Sequence, residues 1–68
     1  MDSKKFGEFI ATIRKEKGWT QAELAKKLSV TDKAVSRWER GLGFPDINTV
    51  KALADALDVI VLEIMQSE

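Results

Sequence analysis

Residues 20–41, TQAELAKKLSVTDKAVSRWERG, decide how this chain folds. Glu23 follows Thr20 at the spacing of a capping box, in which each side chain closes on the other's backbone N–H, and Trp19 just before can staple onto Leu24. A helix is therefore predicted to begin at Gln21, to turn Leu24, Ala25 and Leu28 inward, and to stop at Ser29. Val30 and Thr31 open a second helix on the same plan, with Thr31 as cap and a Val30–Val35 staple. Val35 and Trp38 form its inner side until Gly41.

Upstream, Phe6, Ile10, Ile13 and the aliphatic stem of Lys17 make a stripe at helical spacing, and Gly18 suits the end of that first helix. Downstream, Gly41-Leu42-Gly43-Phe44-Pro45 is the only Gly/Pro-rich stretch and reads as a loop. Asp46 can then cap a fourth helix whose Val50, Leu53, Ala54 and Leu57 fall at i, i+3, i+4 and i+7. The last run, Val59-Ile60-Val61-Leu62-Glu63-Ile64-Met65, suits a strand as well as a buried helical turn. Taken as a fifth helical segment, it completes an all-α, compact five-helix bundle in one domain, residues 1–68. The expected core is Ile10, Ile13, Leu24, Ala25, Leu28, Val35, Trp38, Val50, Leu53 and Leu57.

Composition narrows the function. A chain of 68 residues buries only about 60% of its unfolded surface and has room for one core. No window approaches the roughly 18 uncharged apolar residues of a membrane span, and Met1-Asp2-Ser3-Lys4-Lys5 leads straight into an amphipathic pattern, so a cytoplasmic protein without membrane contact is expected. With no Cys and no His, disulfides, thiol nucleophiles and the usual zinc sites are excluded, along with the commonest general base. No metal, no cofactor and no catalytic residue is expected. Formal net charge is zero, yet residues 1–43 hold ten basic and six acidic side chains, whereas residues 44–68 hold Lys51 against five acids. Such a charge dipole can turn its basic part toward a polyanion.

Two short helices joined by about three residues, over residues 21–40, make the geometry of a helix-turn-helix. Ala25 sits where the two helices approach most closely, and Asp32, Lys33, Ser36, Arg37 and Arg40 face outward. The stretch quoted above, followed by FPDINTVKALADAL, resembles the phage-repressor-like (Cro-type, XRE) helix-turn-helix DNA-binding family over about residues 6–65. The resemblance is carried by Thr20-Gln21, Leu24-Ala25, Ser36-x-Trp38-Glu39-x-Gly41 and Pro45. It implies a lambda-repressor-like domain whose third helix, about residues 32–40, enters the major groove of double-stranded DNA. Such a domain usually works as a homodimer that represses or otherwise regulates transcription.

Carried over by position, base reading falls on Asp32, Lys33 and Arg37, with Ser36 nearby. Arg37 and Lys33 can donate to guanine O6 and N7, and Asp32 can accept from cytosine N4. Phosphate contacts fall on Thr20 and Gln21 at the start of helix two, and on Arg40 with the Leu42-Gly43 backbone. The resemblance also pairs Arg14 with Glu39 as a structural ion pair.

Some residues depart from the family pattern. Ser29 and Asp58 stand where glycine is common, and Ile60 where the last helix usually has a polar cap or Pro. Ile60 and Leu62 look surplus to a monomer core, which leaves them as exposed apolar side chains, as a dimer surface, or as a dock for a downstream domain if the chain is a fragment. A weak homodimer that becomes firm on DNA is the expected assembly. The competing function is a helix-turn-helix module that binds only protein, as an antitoxin or scaffold does, favoured by the neutral net charge.

Overall fold

The computed structural model describes residues 2–59. Those residues form four helices and no strand: α1 (Ser3–Glu16), α2 (Gln21–Leu28), α3 (Asp32–Glu39) and α4 (Ile47–Leu57). The fold is thus all-helical with a helix-turn-helix at its centre, but four helices rather than five are found among the described residues. From Ile60 onward the fifth segment, Leu62 included, lies outside them.

Each helix start has a local cause. Asp2 Oδ1 accepts from Lys4 N–H at 2.8 Å, Thr31 Oγ1 from Ala34 N–H at 3.1 Å, and Asp46 Oδ1 from Thr49 N–H at 2.8 Å. At α2 the capping box is complete: Thr20 Oγ1 accepts from Glu23 N–H at 3.0 Å, and Glu23 Oε1 accepts from Thr20 N–H at 2.8 Å. Thr20, through its backbone N–H and then its hydroxyl, holds the Glu23 carboxyl below its ordinary value. Thr49, through its hydroxyl and then its backbone N–H, holds the Asp46 carboxyl below its ordinary value. These caps satisfy N–H groups that the first turn of a helix leaves without partners.

The four helix ends share one device. Gly18, Ser29, Gly41 and Asp58 all have positive φ, at 76°, 57°, 75° and 59°. The next residue then closes back on a carbonyl five positions earlier: Trp19 on Arg14 at 3.2 Å, Val30 on Ala25 at 3.0 Å, Leu42 on Arg37 at 2.9 Å, and Val59 on Ala54 at 2.9 Å. This is the Schellman closure, with a hydrophobic residue each time in the position after the left-handed one. Glycine enters that conformation without steric cost, whereas serine pays roughly 1 kcal/mol and aspartate somewhat less. Ser29→Gly is accordingly expected to raise the thermal midpoint by several degrees, since about 1 kcal/mol is worth ~4–8 °C in a domain of this size. Asp58→Gly should gain less. Calorimetry on the two variants checks this, and a lower midpoint for Ser29→Gly would refute the strain.

α3 packs against α1 and α2, and α4 against α2 and α1. The core is Phe6, Ile10, Leu24, Ala25, Leu28, Val35, Trp38, Leu53, Ala54 and Leu57. Ile13 and Val50, expected inside, are half-buried at its margin, and Phe6 and Ala54 take interior places instead. α1 and α3 cross at Gly7, where a Cβ would overlap the Trp38 carbonyl oxygen and stand 2.8 Å from that of Glu39. Only glycine lets the two backbones meet so closely. Among the described residues no helix is long and apolar enough to cross a membrane.

Candidate nucleic-acid interface

α3 is anchored on one side and open on the other. Val35 and Trp38 are buried, while Asp32, Lys33, Arg37 and Arg40 are exposed and Ser36 is half-buried. The five polar residues follow at i, i+1, i+4, i+5 and i+8, so they share one face of the helix. Two of them lean on backbone: Arg37 Nη2 donates to the Leu42 carbonyl at 3.4 Å, and Arg40 Nε to the Ser36 carbonyl at 3.3 Å. Neither bond consumes the guanidinium, which has five N–H groups in a planar fork. Leu42 is 53% exposed beside this face, and Phe44 and Ile47 follow at 47% and 59%.

Behind α3 lies a buried polar cluster. Arg14 is only 7% exposed and grips Glu39 with two bonds, Nε to Oε2 at 2.7 Å and Nη2 to Oε1 at 3.0 Å. Its third bond runs from Nη1 to the Trp19 carbonyl at 2.6 Å. The hydrogen bond to Glu39 raises the Arg14 pKa further, against the opposing pull of burial. The structure therefore brings together the two residues that the sequence paired by resemblance. It adds a third that the sequence did not suggest: half-buried Gln21 donates from Nε2 to Glu39 Oε1 at 3.0 Å.

The remaining expected site residues frame α3. Thr20 is exposed, with its hydroxyl oxygen accepting from Glu23 N–H. Gln21 opens α2, whose positive dipole end suits an anion. Leu42 and Gly43 follow the end of α3, with Gly41 pinned against α1 by Ser3 Oγ, which donates to its carbonyl at 3.0 Å. Ile60 and Leu62 lie outside the described residues. Trp19 is half-buried on the core, with the Lys27 ammonium 4.6 Å and the Lys17 ammonium 5.7 Å from its ring centroid. Among the described residues no group of His, Cys, Asp or Glu is arranged to hold a metal ion.

A two-helix unit with an exposed, basic second helix defines a helix-turn-helix domain, and comparison with known proteins agrees. The sequence profile of the helix-turn-helix family matches residues 10–62. The chain belongs to this phage-repressor-like (Cro-type, XRE) helix-turn-helix family. It is 33% identical over 63 residues to the HTH-type transcriptional activator BcrR of Enterococcus faecalis, an alignment covering 93% of this chain but only 31% of BcrR. The fold of the P22 c2 repressor, solved with a synthetic operator, superposes with a TM-score of 0.88 at 32% identity over 93% of this chain and 96% of that one. The restriction-modification controller protein C.AhdI of Aeromonas hydrophila gives a TM-score of 0.85 at 32% identity, over 93% and 91% of the two chains.

Proposed function

We propose that the domain is a sequence-specific regulator of transcription that inserts α3 into the major groove of double-stranded DNA. The observation that carries this reading is the split of α3: Val35 and Trp38 lock it into the core while Asp32, Lys33, Ser36, Arg37 and Arg40 stand together outside. Arg37 and Lys33 read guanine, Asp32 reads cytosine or rejects a wrong register, and Ser36 adjusts to either. Thr20, the start of α2, Arg40 and the Leu42-Gly43 backbone hold phosphates and so fix orientation without reading sequence. Support also comes from the P22 c2 repressor, solved on operator DNA and similar over nearly its whole length.

On this reading the protein acts in the cytoplasm, as a binding protein and not an enzyme. Two copies act together, because one reading helix spans only a few base pairs and useful discrimination needs two half-sites about one helical turn apart. Repression fits a protein that occupies an operator, although BcrR is an activator.

Selection from a random duplex pool tests the proposal, giving the half-site and its spacing together. In the recovered site, Arg37→Ala is expected to relax base preference at one position per half-site and to cost ~1–3 kcal/mol. Arg40→Ala should instead weaken every sequence alike and lower the slope of log affinity against log salt by about one. An unchanged motif with Arg37→Ala would move base reading off this face. A module that binds only protein would recover no duplex and show no salt slope.

A further inference from the structure

The proposed phosphate grips lie at two places, the start of α2 and the segment after α3, and one side chain joins them. Gln21 is the first residue of α2 and Glu39 the last of α3. They meet at 3.0 Å, Gln21 Nε2 donating to Glu39 Oε1, which also accepts from Arg14 Nη2 at 3.0 Å. Arg14 Nη1 in turn holds the Trp19 carbonyl, directly before the capping residue Thr20, at 2.6 Å. By family resemblance Gln21 is a phosphate ligand. Here one N–H of its amide is engaged on a carboxylate inside the protein, so that only the second N–H is left for an outside acceptor and the side chain is held by Glu39 whether or not DNA is present.

We propose that Gln21 is a positioning residue: its side chain acts through Glu39 to set the separation of the two phosphate grips. This rests on the DNA-binding reading above and assigns a different task to one residue of it. Arg14 fastens α1 to the end of α3, but Gln21 is the side chain that fastens the start of α2 directly to the end of α3. Phosphates on a duplex have fixed spacing, so a grip displaced by a fraction of an ångström weakens contacts it does not itself make.

A mutant cycle distinguishes the two roles, using as probe a duplex that the parent protein recovers from a random pool. Gln21→Ala is expected to lower the affinity of the parent about tenfold, because the two phosphate grips lose their fixed separation. In a background carrying Arg14→Met with Glu39→Leu, which removes the acceptor and leaves no buried charge, the same change is expected to do nothing beyond twofold. An equal loss in both backgrounds, or none in the parent, overturns the proposal and leaves the DNA-binding reading intact. A second measurement needs no variant: the Gln21 side-chain amide proton bonded to Glu39 should keep its protection from solvent exchange when the duplex is added. Loss of that protection on binding would mean that the amide leaves Glu39, and would overturn the proposal too. A parent that recovers no duplex at low salt refutes the DNA-binding reading itself.

Discussion

Trp38→Ala is expected to lower the thermal midpoint of the domain by more than about 10 °C, at ~4–8 °C per kcal/mol lost in a domain of this size. The Trp38 side chain is 8% exposed in a core of ten residues, and truncating a buried tryptophan to alanine costs ~3–5 kcal/mol through lost transfer energy and the cavity left behind. Stability runs at roughly 0.05–0.15 kcal/mol per residue, so a domain of this length has only about 3–10 kcal/mol in total. Relaxation into the cavity is restricted on the neighbouring turn, because the Trp38 carbonyl already meets Gly7 of α1. Circular dichroism against temperature checks the result. A midpoint within a few degrees of the parent would mean that α3 is held by something other than its buried face.

Arg14→Met should be nearly as damaging, for a different reason. It leaves the Glu39 carboxylate, whose side chain is 7% exposed, with Gln21 as its remaining side-chain donor. Breaking one partner of a buried pair costs ~3–5 kcal/mol, chiefly through the uncompensated charge that stays behind. The Trp19 carbonyl loses its donor as well. Adding Glu39→Leu to the same chain is expected to recover most of the loss, since an apolar pair of similar volume is often neutral relative to the ion pair it replaces. Urea unfolding of the single and double variants decides the matter. A double variant no more stable than Arg14→Met would place the cost in lost packing of the arginine stem and not in the stranded carboxylate.

The starts of α2, α3 and α4 were legible because a cap is a local event: Thr20, Glu23, Thr31 and Asp46 each bond within three residues, whereas the Asp2 cap of α1 was not read from the sequence. Helix ends were legible where glycine marked them, at 18 and 41, and Ser29 and Asp58 betrayed theirs by standing where glycine is common. Gly7 was not legible. Its reason is the α1–α3 crossing, and the only trace in the sequence is an isolated glycine inside an amphipathic helix. The Gln21–Glu39 bond joins residues 18 positions apart, and no periodicity within either helix foretells it. Phe6 was read on the α1 stripe but left out of the core, since a stripe gives a direction and not a depth. Its ring is 5.2 Å from that of Phe44 in the α3–α4 loop, a contact that only the folded chain creates.

The open and anchored sides of α3 draw on different residues, and this separation bears on how such a protein can change over generations. Asp32, Lys33 and Arg37 are exposed and take no part in the Arg14–Glu39–Gln21 cluster, and exchanges at exposed positions usually move stability by no more than about 0.5 kcal/mol. On the proposed assignment of base reading to these three residues, mutation can rewrite the preferred base sequence one letter at a time while the scaffold stays above its folding threshold. Operator and protein are free to drift together, and a duplicated copy can acquire a separate target without first being stabilised.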